Sequence, residues 1–363
     1  MKDKITRSKT TALPKRRRMK AMAWSFLFIV LSAMILPTAS YLVSGEQAHA
    51  QVTNDQNQRA NFWRAVREGA PGYSAVSGPE AGVFINNGGQ NWRQLRNGMI
   101  ANYGGWAIVL GLGVIALFFL VRGRIKIDEE ASGMSVPRWK TWERVMHWYT
   151  AILFVMLAIS GLSMLFGRAV LIPLLGAKGF SAWANLSINV HNYVGPFFAI
   201  GVFAMLLFWV KHNIPNGTDM AWFAKGGGLF TKAHPSAGKL NGGEKIWFWI
   251  VIFVGLIAVC GSGLVLIGWM AQWGLVDATR STMQLAHQIH SIAAIIWVVV
   301  FFGHAYIGTL GTEGALEGMA SGRVSVEWAK QHHDQWYEEV KDQAGVAERA
   351  PSSAATASTT ATS

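Results

Sequence analysis

Apolar residues dominate five long stretches of this chain, and polar segments separate them. The stretches run approximately over residues 101–121, 147–166, 191–210, 246–268 and 286–310. A helix of about 20 apolar residues crosses the roughly 30 Å hydrocarbon core of a bilayer, so each stretch is long enough to span a membrane. The pattern therefore predicts an all-α integral membrane protein with five transmembrane helices in this part of the chain.

The segments outside these stretches predict an export signal, an arm and a tail. A basic segment, an apolar run over residues 21–43 and the tripeptide Ala48-His49-Ala50 follow one another, which predicts a cleaved signal peptide over residues 1–50. The run is longer than the usual signal core, so an uncleaved anchor is the alternative. Residues 51–100 are polar and turn-rich and predict a periplasmic arm. Residues 344–363, rich in Ala, Ser and Thr, predict a disordered tail.

Composition supports a membrane protein and argues against nucleic-acid binding. The chain is 51% hydrophobic and 14% charged, with 17 tryptophans. Its net charge of +12 is concentrated in residues 1–20, which contribute +8 and leave +4 for the remainder. The charge is therefore a property of the signal and not of a nucleic-acid surface.

Basic residues also predict the topology of the spans in the membrane. They cluster after the first span and between the third and fourth spans, and the positive-inside rule places both segments in the cytoplasm. The mature N terminus is then periplasmic, and residues 313–343 form a cytoplasmic C-terminal segment. The residues that carry this argument are Arg122, Arg124, Lys126, Lys225, Lys232, Lys239 and Lys245.

The single cysteine limits the metal chemistry that this chain can support. One thiol cannot hold an iron–sulfur cluster, a structural zinc ion or an internal disulfide, and no C-x-x-C-H motif for covalent haem is present. Cys260 is predicted to be a small packing residue in an apolar run. Any metal centre would depend mainly on histidine.

Four histidines lie at the ends of the apolar stretches and form two pairs by depth. The topology places His147 and His304 at the cytoplasmic side and His191 and His290 at the outer side. An imidazole within the membrane needs a partner, and neutral imidazole is a good axial ligand of haem iron. We therefore predict an inner and an outer haem, each between two helices and each suited to electron transfer. The alternative is an interfacial histidine bonded to water or a carbonyl, as in a haem-free transporter or scaffold.

The fifth stretch carries one predicted ligand of each haem. His290 and His304 are 14 residues apart, which is about 21 Å of helical rise and close to four turns, so their side chains project in nearly the same direction. His287 is the competing outer ligand. Its separation from His304 turns it roughly 100° away from that direction, which favours His290.

The segment 240–245, at the predicted cytoplasmic end of the fourth stretch, offers a site for an electron acceptor. The amide of Asn241 can hydrogen-bond a quinone carbonyl, and Gly242 and Gly243 permit close approach of the backbone. The alternative is that Asn241 simply caps the following helix, and residue chemistry alone favours this alternative. Of the other histidines, His212 is predicted to make surface contacts. His234, His332 and His333 lie in polar segments and require no metal.

Over about residues 138–340 the chain resembles the cytochrome b (gamma) subunit of membrane-bound formate dehydrogenases. The cytochrome b subunits of nickel–iron hydrogenases and of thiosulfate or polysulfide reductases are related alternatives, and the third and last of the motifs below favour the formate branch. The motifs are Glu143-Arg144-Val145-Met146-His147-Trp148, His191 with Gly195, Lys211-His212-Asn213-Ile214-Pro215, Asn241-Gly242-Gly243-Glu244-Lys245, His290, His304 and Trp328-Ala329-Lys330-Gln331-His332-His333.

The resemblance implies a four-helix haem-binding transmembrane bundle over residues 138–312, with the same histidine pairing and two haem b groups. Residues 101–121 would then be one extra N-terminal transmembrane helix. It also implies that His304 and Asn241 lie at a quinone site. Glu244 departs from the family, which often has an amide there.

The resemblance further implies a role as a non-catalytic electron-transfer subunit. Formate would be oxidised on a molybdenum- or tungsten-containing alpha subunit. An iron–sulfur beta subunit would pass the electrons to the outer haem, the inner haem and then a quinone (menaquinone or ubiquinone), which is reduced on this chain.

Overall fold

The computed structural model describes residues 87–229 and 233–346. The predicted signal peptide, residues 51–86 of the predicted arm and most of the predicted tail lie outside the described residues.

Five helices are long and apolar enough to cross a membrane, which confirms the prediction of an all-α membrane fold. We call them the first to fifth spans; they are Asn91–Arg122, Thr141–Arg168, Leu171–Asn213, Gly242–Leu266 and Arg280–Gly311. Their side chains bury a common apolar core, while many large apolar residues remain on the outer surface. An apolar exterior is expected where the surrounding medium is lipid rather than water.

Several spans depart from regular α-helix. Helical structure runs from Thr141 to Trp209 but is interrupted at Gly176, whose φ of +68° favours glycine. A 3-10 turn, Val210–Asn213, follows this helix. The fourth span contains a π-helical section, Val251–Cys260, and the fifth ends in another, Ile307–Gly311. The predicted packing role of Cys260 is confirmed, because its side chain is buried in the core.

The extra N-terminal span packs against the fifth span. Helical structure begins at Asn87, within the predicted arm, and passes through a π-helical turn, Leu95–Ile100, before Ala101–Arg122. Ile108 on this helix is fully buried, and a side chain on Gly111 would lie 2.9 Å from Cγ1 of Val299. Glycine therefore allows the first span to lie close to a helix that carries two of the four histidines.

Three connecting segments meet at one end of the bundle. A small antiparallel sheet joins β1 (Met134–Pro137), β2 (Arg323–Ser325) and β3 (Gly345–Val346) in the order β2-β1-β3. Ser135 lies opposite Ser325, and Val136 lies opposite Val324. The predicted tail is thus wrong at its start, because β3 falls within 344–363 and pairs with β1. The five-span topology requires these segments to share one face.

Short helices complete this end of the molecule. Val136, Val324, Trp328 and Trp336 pack together as a second, smaller apolar core beneath the sheet. The short helices at this end are Gly217–Ala224, Gly226–Gly228, Ala315–Ser321, Val326–His332, Asp334–Val340 and Lys341–Gln343, whereas Trp269–Gln272 connects the fourth span to the fifth at the opposite end.

Candidate functional site

The four histidines meet inside the bundle in the two predicted pairs. The ring centroids of His147 and His304 are 6.3 Å apart, and those of His191 and His290 are 5.9 Å apart. The second and fifth spans supply one pair, and the third and fifth spans supply the other. Each pair therefore joins two different helices, as the sequence predicts.

His290, and not His287, faces His191. The exposed ring of His287 lies instead against Trp92 of the first span, with centroids 5.6 Å apart. The three-residue offset rotates the two side chains by about 60° around the helix axis, so they contact different neighbouring helices. The geometry agrees with the choice of His290.

The two outer histidines are held by matching elements of the second and fourth spans. Nδ1 of His191 lies 2.9 Å from Oγ of Ser160, and Nδ1 of His290 lies 3.2 Å from Oγ of Ser262. Nδ1 of His290 is also 2.9 Å from the carbonyl oxygen of Val259. A hydrogen bond at Nδ1 fixes both the tautomer and the orientation of an imidazole, and it leaves Nε2 available as a ligand.

The inner histidines have different surroundings. Trp247 of the fourth span stacks on His304, with centroids 4.5 Å apart and an angle of 9° between the rings. Nδ1 of His147 is buried and has no hydrogen-bond partner in the part of the chain that the structure describes. Such a nitrogen carries a desolvation cost of about 1–3 kcal/mol. An inner site built on these rings has an aromatic wall on one side.

Aromatic side chains fill the space between the two pairs. Phe154 contacts Phe198, Trp297 and Phe301 with ring centroids 6.2, 5.1 and 4.6 Å apart. These residues follow the histidines at helical spacing, since Phe154 is two turns after His147 and Trp297 is midway between the two histidines of the fifth span. Phe154, Phe198 and Trp297 are each less than 10% exposed. A dry aromatic layer therefore separates the inner pair from the outer pair.

Both histidine pairs fit a haem iron. Two iron–nitrogen bonds of about 2 Å, together with the distance of roughly 1 Å from each ring nitrogen to its ring centre, require centroids about 6 Å apart. The observed separations of 6.3 and 5.9 Å meet this requirement. Glycine beside an outer ring leaves room for the imidazole, because a side chain on Gly161 would lie only 3.1 Å from Cε1 of His191.

Asn241 caps the fourth span. Its Oδ1 accepts a hydrogen bond of 2.9 Å from the backbone N–H of Glu244, and the Glu244 carboxylate accepts one of 2.8 Å from the Asn241 N–H. The cap predicted as the alternative is thus present, and the amide nitrogen remains for other contacts. At Gly242, where a quinone was expected to approach the backbone, the ring of Phe223 lies 2.8 Å from the position that a side chain would occupy.

Next to Asn241, a buried charged cluster joins the fourth span to the C-terminal segment. Nη2 of Arg138 lies 3.1 Å from Oε1 of Glu244 and 3.1 Å from Nε2 of His333. The guanidinium also lies over the rings of Trp328 and Trp336, at 4.7 and 5.1 Å. Arg138 and His333 are both buried.

Burial explains the ionisation of this cluster. Burial lowers the pKa of Arg138, while the Glu244 carboxylate opposes that shift. Burial and the neighbouring guanidinium also hold the pKa of His333 well below its usual range, so the ring is neutral. His333 lies in a polar sequence segment, yet its side chain is 1% exposed, which the sequence did not indicate.

Two sequence patterns mark residues that contact the histidines or lie between the two pairs, although the sequence predictions did not use them. Ser-Gly-Leu occurs at 160–162 and again at 262–264, and in each case the serine and glycine meet an outer histidine. Phe154 and Phe198 each follow a pairing histidine by seven residues, and so does Trp297. Trp247 has no comparable signal, because its contact with His304 depends on how the fourth and fifth spans pack.

Known proteins similar to this chain are cytochrome b556 subunits. The chain is 29% identical over 221 residues to the cytochrome b556(Fdn) subunit of the nitrate-inducible formate dehydrogenase of Escherichia coli K12, covering 57% of this chain and 92% of the relative. It is 30% identical over 211 residues to the formate dehydrogenase cytochrome b556(fdo) subunit of the same organism, covering 57% and 94%. A cytochrome b556 subunit from Haemophilus influenzae is 29% identical over 218 residues, covering 58% and 86%.

A family model identifies the protein family of this chain. The model of prokaryotic cytochrome b561 matches residues 138–322, which include all four pairing histidines and the four spans after the first. A cytochrome b carries haem b and transfers electrons, and this chemistry agrees with the two histidine pairs. This chain therefore belongs to the prokaryotic cytochrome b561 family of multi-pass membrane electron-transfer proteins.

Proposed function

We propose that this chain is the di-haem b membrane anchor of a formate dehydrogenase complex and carries electrons across the membrane to the quinone pool. The separation of the rings within the two histidine pairs is the observation that carries the proposal. His191 and His290 are assigned to the outer haem, and His147 and His304 to the inner haem. The relatives named above are formate dehydrogenase subunits, which favours formate over hydrogen or sulfur compounds as the electron source.

The residues of this chain form two sites for electron carriers. The two histidine pairs would hold haem b, which would supply a reversible one-electron carrier at each pair. The Nδ1 hydrogen bonds of the outer histidines orient Nε2 toward the site. The aromatic layer of Phe154, Phe198 and Trp297 keeps water out of the space between the pairs. Electrons can cross this layer, whereas the phenyl rings of Phe154 and Phe198 offer no hydrogen-bonding groups to carry protons.

The overall reaction balances over the whole complex. Oxidation of formate on a molybdenum- or tungsten-containing subunit yields carbon dioxide, one proton and two electrons. An iron–sulfur subunit passes these electrons to the outer side of this chain. One quinone takes up the two electrons and two protons to become a quinol. If the electrons move inward and the protons come from the cytoplasm, each transferred charge works against about 2.3 kcal/mol per 100 mV.

We propose a quinone site near the inner pair. Trp247 lies against His304, and Asn241 begins the same helix six residues earlier, about 9 Å along its axis. One Asn241 amide oxygen serves the helix cap, which leaves its N–H groups to donate to a quinone carbonyl. His304 and Asn241 therefore belong to one end of the bundle, where a quinone headgroup would accept electrons from the inner haem.

The rest of the proposal concerns location. The protein is placed in the bacterial inner membrane, with residues 1–50 as a cleaved signal, the mature N terminus in the periplasm and the C terminus in the cytoplasm. Three segments support this orientation, because the basic residues that follow the first and third spans lie at the same end as the C-terminal segment.

A haem count on the purified full chain tests the proposal. We expect a pyridine haemochrome assay to give two haem b per chain and a dithionite-reduced spectrum to show a b-type α band. In the intact complex, formate should reduce both haems, and added quinone should reoxidise them. Absence of haem would refute the electron-transfer role. Haem reduction by hydrogen or a sulfur compound, and not by formate, would show that formate is not the electron source.

A further inference from the structure

We propose that Ser160 and Ser262 are positioning residues for the outer haem, and that they set its midpoint potential through the Nδ1 atoms of His191 and His290. This inference rests on the haem-binding role proposed above. It concerns two side chains on the second and fourth spans that are not themselves iron ligands.

The hydroxyl groups donate to backbone carbonyls of the preceding helical turn. Oγ of Ser160 donates to the carbonyl oxygen of Met156 at 2.8 Å, and Oγ of Ser262 donates to the carbonyl of Ala258. A hydroxyl has a single hydrogen, so each oxygen faces the neighbouring imidazole as an acceptor. The histidine then carries its proton on Nδ1, which the contact of 2.9 Å between Nδ1 of His290 and the Val259 carbonyl oxygen also requires. This tautomer leaves the lone pair on Nε2 for the iron.

The two serines occupy equivalent positions. Ser160 and Ser262 are 4% and 7% exposed, and each donates its hydrogen four residues back along its own helix. Each is followed by a glycine against which the imidazole lies, since a side chain on Gly161 or Gly263 would be 3.1 or 3.3 Å from the Cε1 atom of the histidine. The same Ser-Gly unit therefore supports both axial ligands of one haem.

The two units differ in how strongly the serine holds the ring. His290 has a second acceptor, the Val259 carbonyl, at 2.9 Å, which is closer than Ser262 at 3.2 Å. For His191 the hydrogen bond of 2.9 Å is to Ser160, although the carbonyl of Leu157 also interacts with the ring. Removal of Ser160 should thus have a larger effect than removal of Ser262.

A hydrogen bond that Nδ1–H donates makes the imidazole a stronger donor to iron, which stabilises the oxidised state. Loss of the acceptor should raise the midpoint potential of the outer haem. Partners of metal-bound histidines commonly change affinity by 10–100-fold. A tenfold change in the relative stability of the two oxidation states corresponds to about 59 mV for a one-electron couple.

The test is a spectroelectrochemical titration of the purified complex, with low-spin EPR spectra of each variant. We expect Ser160→Ala to raise the potential of one haem by about 59 mV and to shift its EPR signal. The potential of the second haem should stay at its original value. Ser160→Thr retains the hydroxyl and should restore the original potential, and Ser262→Ala should give a smaller shift.

Ser163→Ala is the matched control, because Ser163 is a serine on the same span and is also 4% exposed. If Ser160→Ala and Ser163→Ala both leave two haems with unchanged potentials, the positioning role is wrong while the haem-binding role stands. If the original protein holds no haem, the proposed function itself fails. Equal shifts of both haems in Ser160→Ala would indicate a general structural effect and would also overturn the inference.

Discussion

Neutralising Glu244 should loosen the C-terminal segment from the bundle. Glu244→Gln keeps a side-chain oxygen that can cap the fourth span through the Asn241 N–H, but it removes the negative charge beside Arg138. The Arg138 side chain is 3% exposed, whereas that of Glu244 is 38% exposed. The substitution therefore leaves a buried cation without its counter-charge.

The size of the effect follows from these two exposures. Removal of one partner from a fully buried ion pair costs about 3–5 kcal/mol, because the remaining charge is left desolvated. Here one partner is partly in water, glutamine can still accept a neutral hydrogen bond, and the rings of Trp328 and Trp336 continue to face the guanidinium. We therefore expect a cost of about 1–2 kcal/mol, which corresponds to roughly 5- to 30-fold faster opening of the segment.

Hydrogen exchange by mass spectrometry measures this opening. Peptides from residues 323–346 should exchange faster in Glu244→Gln, while peptides from residues 242–250 report whether the helix cap is intact. The double variant Arg138→Met, Glu244→Gln removes the buried cation and should recover most of the protection, since an apolar residue of similar length can replace a buried charge. If the double variant exchanges as fast as Glu244→Gln alone, the uncompensated charge is not the cause.

Three other substitutions or conditions test separate parts of the structure. His290→Ala should reduce the haem count from two to one per chain, whereas His287→Ala should retain both haems; the opposite result would make His287 the ligand. Gly111→Leu should destabilise the contact of the first span with the fifth by about 1–3 kcal/mol and lower the temperature at which haem absorbance is lost. Gly113→Leu should not, because no described residue lies within 4 Å of a side chain at that position. Burial lowers the pKa of His332 to about 4, so between pH 6.5 and 4 the detached segment binds a proton at His332 that the packed segment does not. Stability therefore falls as the pH is lowered, and His332 contributes about 1.4 kcal/mol per pH unit to this loss. Hydrogen exchange of residues 326–340, corrected for its intrinsic pH dependence, should show this loss, and His332→Gln should reduce it.

The spans and the histidine pairing could be predicted because each depends on a local or periodic property. A run of 20 apolar residues has few alternatives to a membrane span. The choice of His290 over His287 needed only the angle per residue of one helix, and the structure brings His290 to His191. In both cases the prediction depends only on the length or the rotation per residue of a single helix.

The supporting contacts were less accessible because they depend on packing between elements. The His333 side chain is buried only because the C-terminal segment folds back onto Arg138, which lies 195 residues earlier in the chain. The strand at Gly345–Val346 likewise exists only through its pairing with β1. The polar sequence around His333 and around Gly345–Val346 predicted that both would be exposed to solvent. Contacts with residues far away in the chain instead bury the His333 side chain and pair the strand.

The two proposed haem sites share the fifth span, but different residues hold their ligands, so the sites should respond independently to substitution. It supplies a ligand to each site, and Trp297 lies seven residues from both ligands at the centre of the aromatic layer. The outer ligand is held through Nδ1 by the fourth span, whereas the inner ligand is held by the stacked ring of Trp247. Residues that are well separated and share no partners usually act additively. A change at Ser160 should therefore alter one potential, and a change at Trp247 the other, although both sites are built on one helix.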